Sequence, residues 1–366
     1  MKFNINRNDI LPSLQIVCAV IERRQALPIL GNLLIVAEGN KITFTGTDME
    51  VEMVATINHP SESSGEVTAP AKKLLDICRA LPDGSNIELS FNKDKVVVKS
   101  GKSRFTLATL PATEFPSTEA VESSNKISVS QEDFKSLLED TMFSMAQQDV
   151  RYYLNGLLLE LEKNSLRAVA TDGHRLALKE IKVQTGIEET QQIIIPRKGV
   201  IELVRLLDGG DKNINIEISQ NHIRVGKEAV QFTSKLIDGK FPDYQRVIPK
   251  GGDHPIITNR ENLKQGLVRA SILSNEKYKG IRLILQKNLL KAFAHNPEQE
   301  EAEEEIEIKY AGENIEIGFN VTYLLDALSA IKTEQVILNI EDPNSSCLIL
   351  PDYETECKYV VMPMRL

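Results

Sequence analysis

The chain has 366 residues, 43 basic and 52 acidic, with a formal net charge of −9. That length suits two or three domains, and the acidic balance excludes a protein that coats nucleic acid over its whole surface, though not one with a single basic face. Cys18, Cys78, Cys347 and Cys357 form no Cys-x-x-Cys pair, no run of 18 apolar residues occurs and the N-terminus lacks a signal-like apolar core, so we expect a soluble cytoplasmic chain without membrane segment, metal or cofactor.

Ile10, Leu14, Val17, Cys18 and Ile21 trace one stripe of an amphipathic helix. Leu33 to Ala37, Lys41 to Thr45 and Val51 to Ile57 follow as short β-prone runs split by turn residues. A second helix carries Leu74, Cys78 and Leu81 and stops at Pro82-Asp-Gly, before strands at Ile87 to Phe91, Val96 to Lys99 and Phe105 to Leu110. The order then recurs. Ser130 and Asp133 form a capping-box pattern before Phe134, Leu137, Leu138, Thr141, Met142 and Met145. Strands are predicted at Leu154 to Leu161, Leu166 to Thr171 and Arg175 to Ile181, then a helix on Val200, Leu203, Val204 and Leu207 ended by Gly209-Gly210, then three strands to Phe241-Pro-Asp-Tyr. In the last third, Leu263, Leu267 and Ala270 mark one helix, and Val321, Leu324, Leu325 and Leu328 another. Glu298 to Glu307 is an acidic run lacking elsewhere, read as a solvated strand edge or loop unless a basic partner meets it.

The spacing is regular. Asp48, Asp172 and Asn296 are separated by 172 − 48 = 124 and 296 − 172 = 124 residues, and Leu33, Leu157 and Ile281 repeat with the same interval. The chain is therefore a threefold internal repeat. We expect an α+β fold of three repeated domains, 1–120, 127–249 and 256–366, each with two helices packed on antiparallel sheets, and linkers near 117–126 and 249–257.

Phosphate-binding, dinucleotide, nucleophile-elbow and zinc-protease motifs are all missing from the sequence. Asp172 and His174 resemble a base with its orienting carboxylate, but the third copy has Asn296 and Pro297 there. The better reading of Asp48 and Asp172 is a turn carboxylate that caps backbone amides. Three classes compete: an assembly that uses the repeat geometrically, a hydrolase built on Asp172 and His174, and a protein-binding scaffold. A 120-residue domain approximates a ball about 36 Å across; three in a ring leave a hole of about 6 Å, six a hole of about 36 Å, wide enough for a duplex. A head-to-tail dimer supplies six.

Seven ordered motifs then carry a resemblance: Leu27-Pro-Ile-Leu-Gly-Asn, Gln148-Asp-Val-Arg-Tyr-Tyr-Leu-Asn-Gly, Ala170-Thr-Asp-Gly-His-Arg-Leu-Ala, Pro196-Arg-Lys-Gly-Val-Ile-Glu-Leu, Phe241-Pro-Asp-Tyr, Asn296-Pro-Glu-Gln-Glu-Glu-Ala-Glu-Glu and Tyr359-Val-Val-Met-Pro-Met-Arg-Leu. Over its full length the chain resembles the bacterial β sliding clamps, the processivity subunits of DNA polymerase III. The resemblance implies a non-catalytic, head-to-tail homodimeric ring of three-domain "DNA clamp" subunits, cytoplasmic and nucleoid-associated. Such a ring encircles duplex DNA without sequence specificity. It tethers the DNA polymerase III core, the clamp loader, other polymerases and repair proteins through short peptide motifs.

Carried over residue by residue, the resemblance places the partner-peptide pocket at Leu154, Thr171, Gly173, His174, Arg175, Leu176, Pro242, Arg246, Val247, Asn320, Tyr323, Ser346, Val360, Met362, Pro363, Met364 and Arg365. Asn344 stands where an apolar wall residue is expected. Duplex contacts fall on Arg24, Gln148, Tyr152 and Tyr153, residue types that reach phosphates and base faces without reading sequence. Lys72, Arg79, Arg197, Lys198, Arg205, Lys264 and Arg269 lie on the predicted helices, interleaved with acids. The dimer interface is expected to set Lys73, Lys102, Arg104, Phe105 and Leu107 against Ile272, Leu273, Glu298, Glu300, Glu301, Glu303 and Glu304 of a second copy.

Overall fold

A computed structural model describes residues 1–22, 26–92, 94–116, 125–352 and 356–365. Its building block is a strand running straight into a helix, followed by three antiparallel strands. Among the described residues this block occurs six times, two per repeat. The helices are α1 (Arg7–Ala19), α2 (Ala71–Ala80), α3 (Gln131–Glu139), α4 (Arg197–Leu206), α5 (Arg260–Ser271) and α6 (Val321–Ala330). Each begins where a short strand ends on a polar residue or a proline. Asn6, Asn259 and Asn320 accept from Asn8 N, Asn262 N and Thr322 N, filling donors that a helix start leaves open.

The two blocks of a repeat exchange their first strands. Lys2–Asn6 pairs with Asn86–Asn92, whereas Gly65–Pro70 pairs with Asn32–Glu38. Four-stranded halves from neighbouring repeats then join edge to edge. Val51–Asn58 pairs with Val230–Lys235, with Met53 opposite Phe232, and Arg175–Lys182 pairs with Cys357–Val361, with Ala177 opposite Tyr359. Backbone groups that would otherwise face water thus make ladder hydrogen bonds at both joints.

Grouped by contacts, the chain forms two units, Met1–Glu132 with Lys198–Leu236, and Asp133–Arg197 with Ile237–Leu366. Each has one eight-stranded and one four-stranded antiparallel sheet. The middle repeat contributes to both, so the joined sheets run across the repeat limits drawn from the sequence. In the first unit α1 and α2 bury Ile10, Leu14, Val17, Leu74 and Cys78. Gly46 admits α1 closely, since a Cβ there would stand 2.7 Å from the Val17 carbonyl. In the second unit Leu263, Leu267, Ile281, Phe319, Leu324 and Leu328 belong to one buried cluster.

Three expectations change at element ends. Ile21, Leu81 and Leu207 lie beyond the helices to which they were assigned, because α1 ends at Ala19, α2 at Ala80 and α4 at Leu206. The helix expected through Met145 ends at Glu139: the Thr141 hydroxyl bonds back to the Leu137 carbonyl at 2.8 Å, and Met142–Ser144 continues as a separate 3-10 turn. The expected linker at 117–126 falls largely outside the described residues, but Asn125–Ser130 is a strand, as is Ile256–Asn259 at the second linker.

Candidate functional site

The Thr-Asp turn is the same local device twice. Thr171 Oγ1 donates to the Arg175 carbonyl at 2.6 Å and accepts from Gly173 N, while Asp172 Oδ1 accepts from His174 N and Arg175 N at 2.9 and 3.0 Å. Thr47 and Asp48 repeat these bonds with Met49, Glu50 and Val51. In the third copy Asn296 Oδ1 accepts from Glu300 N. Asp172 Oδ2 takes the Arg175 guanidinium at 3.1 Å, and the His174 ring lies parallel to Tyr323 at 6.5 Å. Asp172 thus caps a turn and orients an arginine; its carboxylate does not orient the His174 imidazole, which removes the geometric basis for the hydrolase reading.

Arg175 is the hub of what surrounds this turn. Besides Asp172 it binds Asp326 on α6 and the Phe143 carbonyl at 2.7 Å, and its guanidinium lies 4.6 Å from the Tyr323 ring centroid. The sequence reading missed Phe143 and Asp326. Beside the hub, Leu154, Leu176 and Val360 are buried members of a cluster with Leu158, Val169, Phe241 and Leu348, and Leu176 pairs directly with Val360. Pro242, Arg246, Val247, His174 and Met362 are exposed.

The C-terminal tail lies along the second unit through two backbone bonds, Met362 N to the His174 carbonyl at 2.9 Å and Met364 N to the Gly318 carbonyl at 2.8 Å. Asn320 caps α6 by accepting from Thr322 N, and Tyr323 in its first turn stacks near the His174 ring. Met364 and Arg365 border a separate groove with Phe293 and Pro343. Ser346 and Pro363 are half-buried. Asn344 is exposed, its amide held by Asp342 at 2.7 Å, so it projects from a turn and forms no apolar wall.

Of the residues assigned to duplex contact, Arg24 lies outside the described residues. Gln148, with φ 57°, and Tyr152 are exposed, and Tyr153 is half-buried against Tyr152 with ring centroids 5.8 Å apart. The loop that presents them is closed by Ala146 N bonding the Leu154 carbonyl, and by Asn155, which binds both the N–H and the carbonyl of Asp149. Asp149 accepts from Arg151 N, Nε and Nη2, and Nη2 also reaches the Asp172 carbonyl at 3.2 Å. Arg151 is therefore a brace of the loop.

Hydrogen bonds from Arg151 hold the Asp149 carboxyl at about 2, below its ordinary 3.8. A depressed carboxyl contributes stability above its unfolded value and loses it as pH falls through its folded value. The loop should therefore keep its shape to below pH 4 and open as pH approaches 2, with Tyr152 ring resonances shifting in step with Arg151 Hε; a transition near 4 would contradict this brace.

The helix cations are mostly engaged. Lys198 pairs with Glu22 and Asp48, Arg205 with Glu202 at 2.6 Å, and Arg269 with Glu304 through two 2.8 Å contacts. Among the described residues Lys72 and Lys264 have no such partner.

Two strands are free edges of four-stranded sheets. Ser103–Ala108 carries Arg104, Phe105 and Leu107, and Glu301–Glu307 carries Glu301, Glu303 and Glu304. Lys102 precedes the first and Lys73 lies on α2; Glu298 and Glu300 lead into the second. Ile272, just past α5, is 74% exposed, an unusual state for isoleucine, while Leu273 is half-buried. Within the chain Glu304 binds Arg269 and Glu303 binds Lys291 at 3.2 Å.

Three repeats of one helix-and-sheet domain, their sheets joined edge to edge by antiparallel strands, are the architecture of the DNA-clamp class. Residues 1–119, 128–243 and 245–365 match, respectively, the N-terminal, central and C-terminal domains of the DNA polymerase III beta subunit. The chain is 51% identical to the beta sliding clamp of Pseudomonas aeruginosa over 367 residues and 48% identical to that of Escherichia coli K12 over 368, with all of each chain covered. A crystal structure of the Pseudomonas aeruginosa subunit superposes with a TM-score of 0.98 at 51% identity over the whole of both chains, and one of that clamp bound to griselimycin with 0.97. The chain belongs to the bacterial beta sliding clamp family, the beta subunits of DNA polymerase III. It is a DNA sliding clamp of replication, a processivity factor without catalytic activity.

Proposed function

We propose that two copies close head to tail into a ring around duplex DNA, and that the hollow floored by Leu154, Leu176 and Val360 takes short linear peptides from the DNA polymerase III core, the clamp loader, other polymerases and repair proteins. The observation that carries the ring is the pairing rule of the two internal joints. At each, a strand ladders against the terminal strand of the next repeat with an aromatic at the same place: Phe232 opposite Met53, Tyr359 opposite Ala177. Met53 and Ala177 face Gly46 and Ala170 across their own hairpins; the third hairpin has Ala302 facing Ala294. Phe232 faces Val225, as Phe105 faces Val98. The rule therefore sets Phe105 of one copy opposite Ala302 of the other, and Arg104 opposite Glu303. The pleat agrees, since Phe105 and Ala302 are both half-buried while Arg104 and Glu303 are both exposed. A single-residue slip would place unlike faces together.

Cysteines at Arg104→Cys and Glu303→Cys in one chain should yield a disulfide-linked dimer under mild oxidation, because the four native cysteines are buried. The pair Arg104→Cys with Glu301→Cys should cross-link poorly. Equal yields, or no cross-link in a protein that sediments as a dimer, would refute the register.

For the pocket, the mixture of Leu, Val and Pro with unbranched Met supports guests of varied side chains, since Met repacks around different shapes. A shared groove explains how one ring without reactive groups serves many enzymes. Met362→Ala should abolish stimulation of the polymerase while the dimer persists; retained stimulation would place partner binding elsewhere. Griselimycin, bound by the Pseudomonas aeruginosa relative, is proposed as a competitor for this hollow. We further assign the protein to the cytoplasm, associated with the nucleoid. Among the described residues no helix is long and apolar enough to cross a membrane.

A further inference from the structure

The pocket floor does not end at Leu176. Along the same face of the sheet, residues advance two at a time: Leu348, Val360 and Leu176 form one row across three paired strands, and the next row places Lys358 opposite Leu178. That second row underlies a groove of about 500 Å³, within the usual range of ligand sites. Its apolar lining includes Leu178, Leu348, Leu350, Ile248 and Tyr244. Leu178, Leu348 and Tyr244 share one buried cluster with Leu176 and Val360, the residues proposed to floor the pocket.

The charges at the groove are unequal in their commitments. Arg167 is held by Glu160, Glu180 and Tyr244, and Glu356 lies 3.8 Å from Lys182. Lys250 and Lys358 line the groove without a hydrogen-bond or ion-pair partner among the described residues. Lys358 is half-buried and stands in the row beside Leu178. An opposite charge arriving between these two lysines is attracted, and a like charge is repelled.

We propose that this groove is a second subsite for the linear peptide that seats in the pocket, taking flanking residues in which an acidic side chain accompanies an apolar one. The proposal rests on the pocket reading above. An extended peptide rises about 3.3 Å per residue and one row of the sheet spans about 7 Å, so the acid should stand roughly two to four residues from the apolar anchor, on one side only. The site thus grades partners that share an anchor by the charge of their flank.

The test is selection of short random peptides displayed on phage against the full-length protein, repeated on the Lys250→Glu/Lys358→Glu variant. Peptides selected on the native protein should share an apolar anchor lost on Met362→Ala, and should carry Asp or Glu at a fixed offset. On the charge-reversed variant the anchor should persist while the acidic preference disappears or turns basic. A flanked peptide should bind the variant about three- to tenfold more weakly than the native protein, and less so at high salt, whereas the anchor alone should bind both equally. An anchor without acidic enrichment, or affinity unchanged by charge reversal, would overturn the second subsite and leave the pocket standing. Selected peptides indifferent to Met362→Ala would overturn the pocket reading, and with it this inference.

Discussion

Replacing Ile272 and Leu273 together by alanine should convert the protein to monomers at micromolar concentration, as measured by sedimentation. Ile272 is left largely in water beyond the end of α5, and Leu273 is half-buried beside it. In the proposed ring each copy contributes this pair once, so the double variant removes four apolar side chains per dimer. Burying such a side chain contributes about 1.5 to 3 kcal/mol. With the half-buried Leu273 counted at about half that value, the four give roughly 4.5 to 9 kcal/mol, or about three to six powers of ten in the dissociation constant. Exposed ion pairs give only about 0 to 1 kcal/mol each, and Glu303 and Glu304 already have partners in their own chain. High salt should therefore leave the native dimer largely intact while the double variant stays monomeric in low salt. A double variant that sediments as a dimer would show that the contact lies elsewhere.

What the sequence made legible was what repeats or lies close along the chain. The 124-residue interval survives in the strands, since Gly156–Glu162 and Gly280–Gln286 begin 124 residues apart. Asp48 and Asp172 cap turns through bonds to residues two and three positions on, a local geometry that Thr-Asp chemistry announces. The acidic run was read as a strand edge or loop, and Glu301–Glu307 is an edge strand.

Less legible were the strands that enter the helices. Ile256–Asn259 has four residues, too few for alternation to stand out, and ends on the asparagine that caps α5. The joints between repeats were hidden because Val51–Asn58 meets Val230–Lys235 across almost half the chain, and periodicity does not name a partner. The hub was hidden for the same reason: Arg175 meets Asp326, 151 residues away. Arg151 was assigned no role from the sequence, yet Asp149, two residues before it, engages it.

The ring should hold DNA by enclosure, and retention should depend on whether the DNA has ends. A net charge of −9 per chain, or −18 for two, repels a polyanion at long range, so attraction must come from a few local contacts. The engagement of Lys198, Arg205 and Arg269 with acids of their own chain strengthens that argument, because paired cations neutralise few phosphates. Direct binding to linear duplex should therefore be weak, with Kd on the order of 10⁻⁴ to 10⁻⁶ M and a shallow salt slope. A closed dimer on circular duplex can leave only by opening an interface, and the apolar contact proposed around Ile272 and Phe105 should be little weakened by salt. Once loaded by an ATP-driven opener onto nicked circles, the protein should survive a salt wash that removes ordinary non-specific binders. Cutting the circles once should release it, as followed by gel filtration, while the uncut circles keep it. The cysteine pair at Arg104 and Glu303 sharpens the comparison: oxidised after loading, it should lock the protein onto circles even in denaturant, yet leave it free to slide from a cut end. Equal retention on circular and linear DNA would refute enclosure, because contacts alone cannot distinguish a closed duplex from an open one.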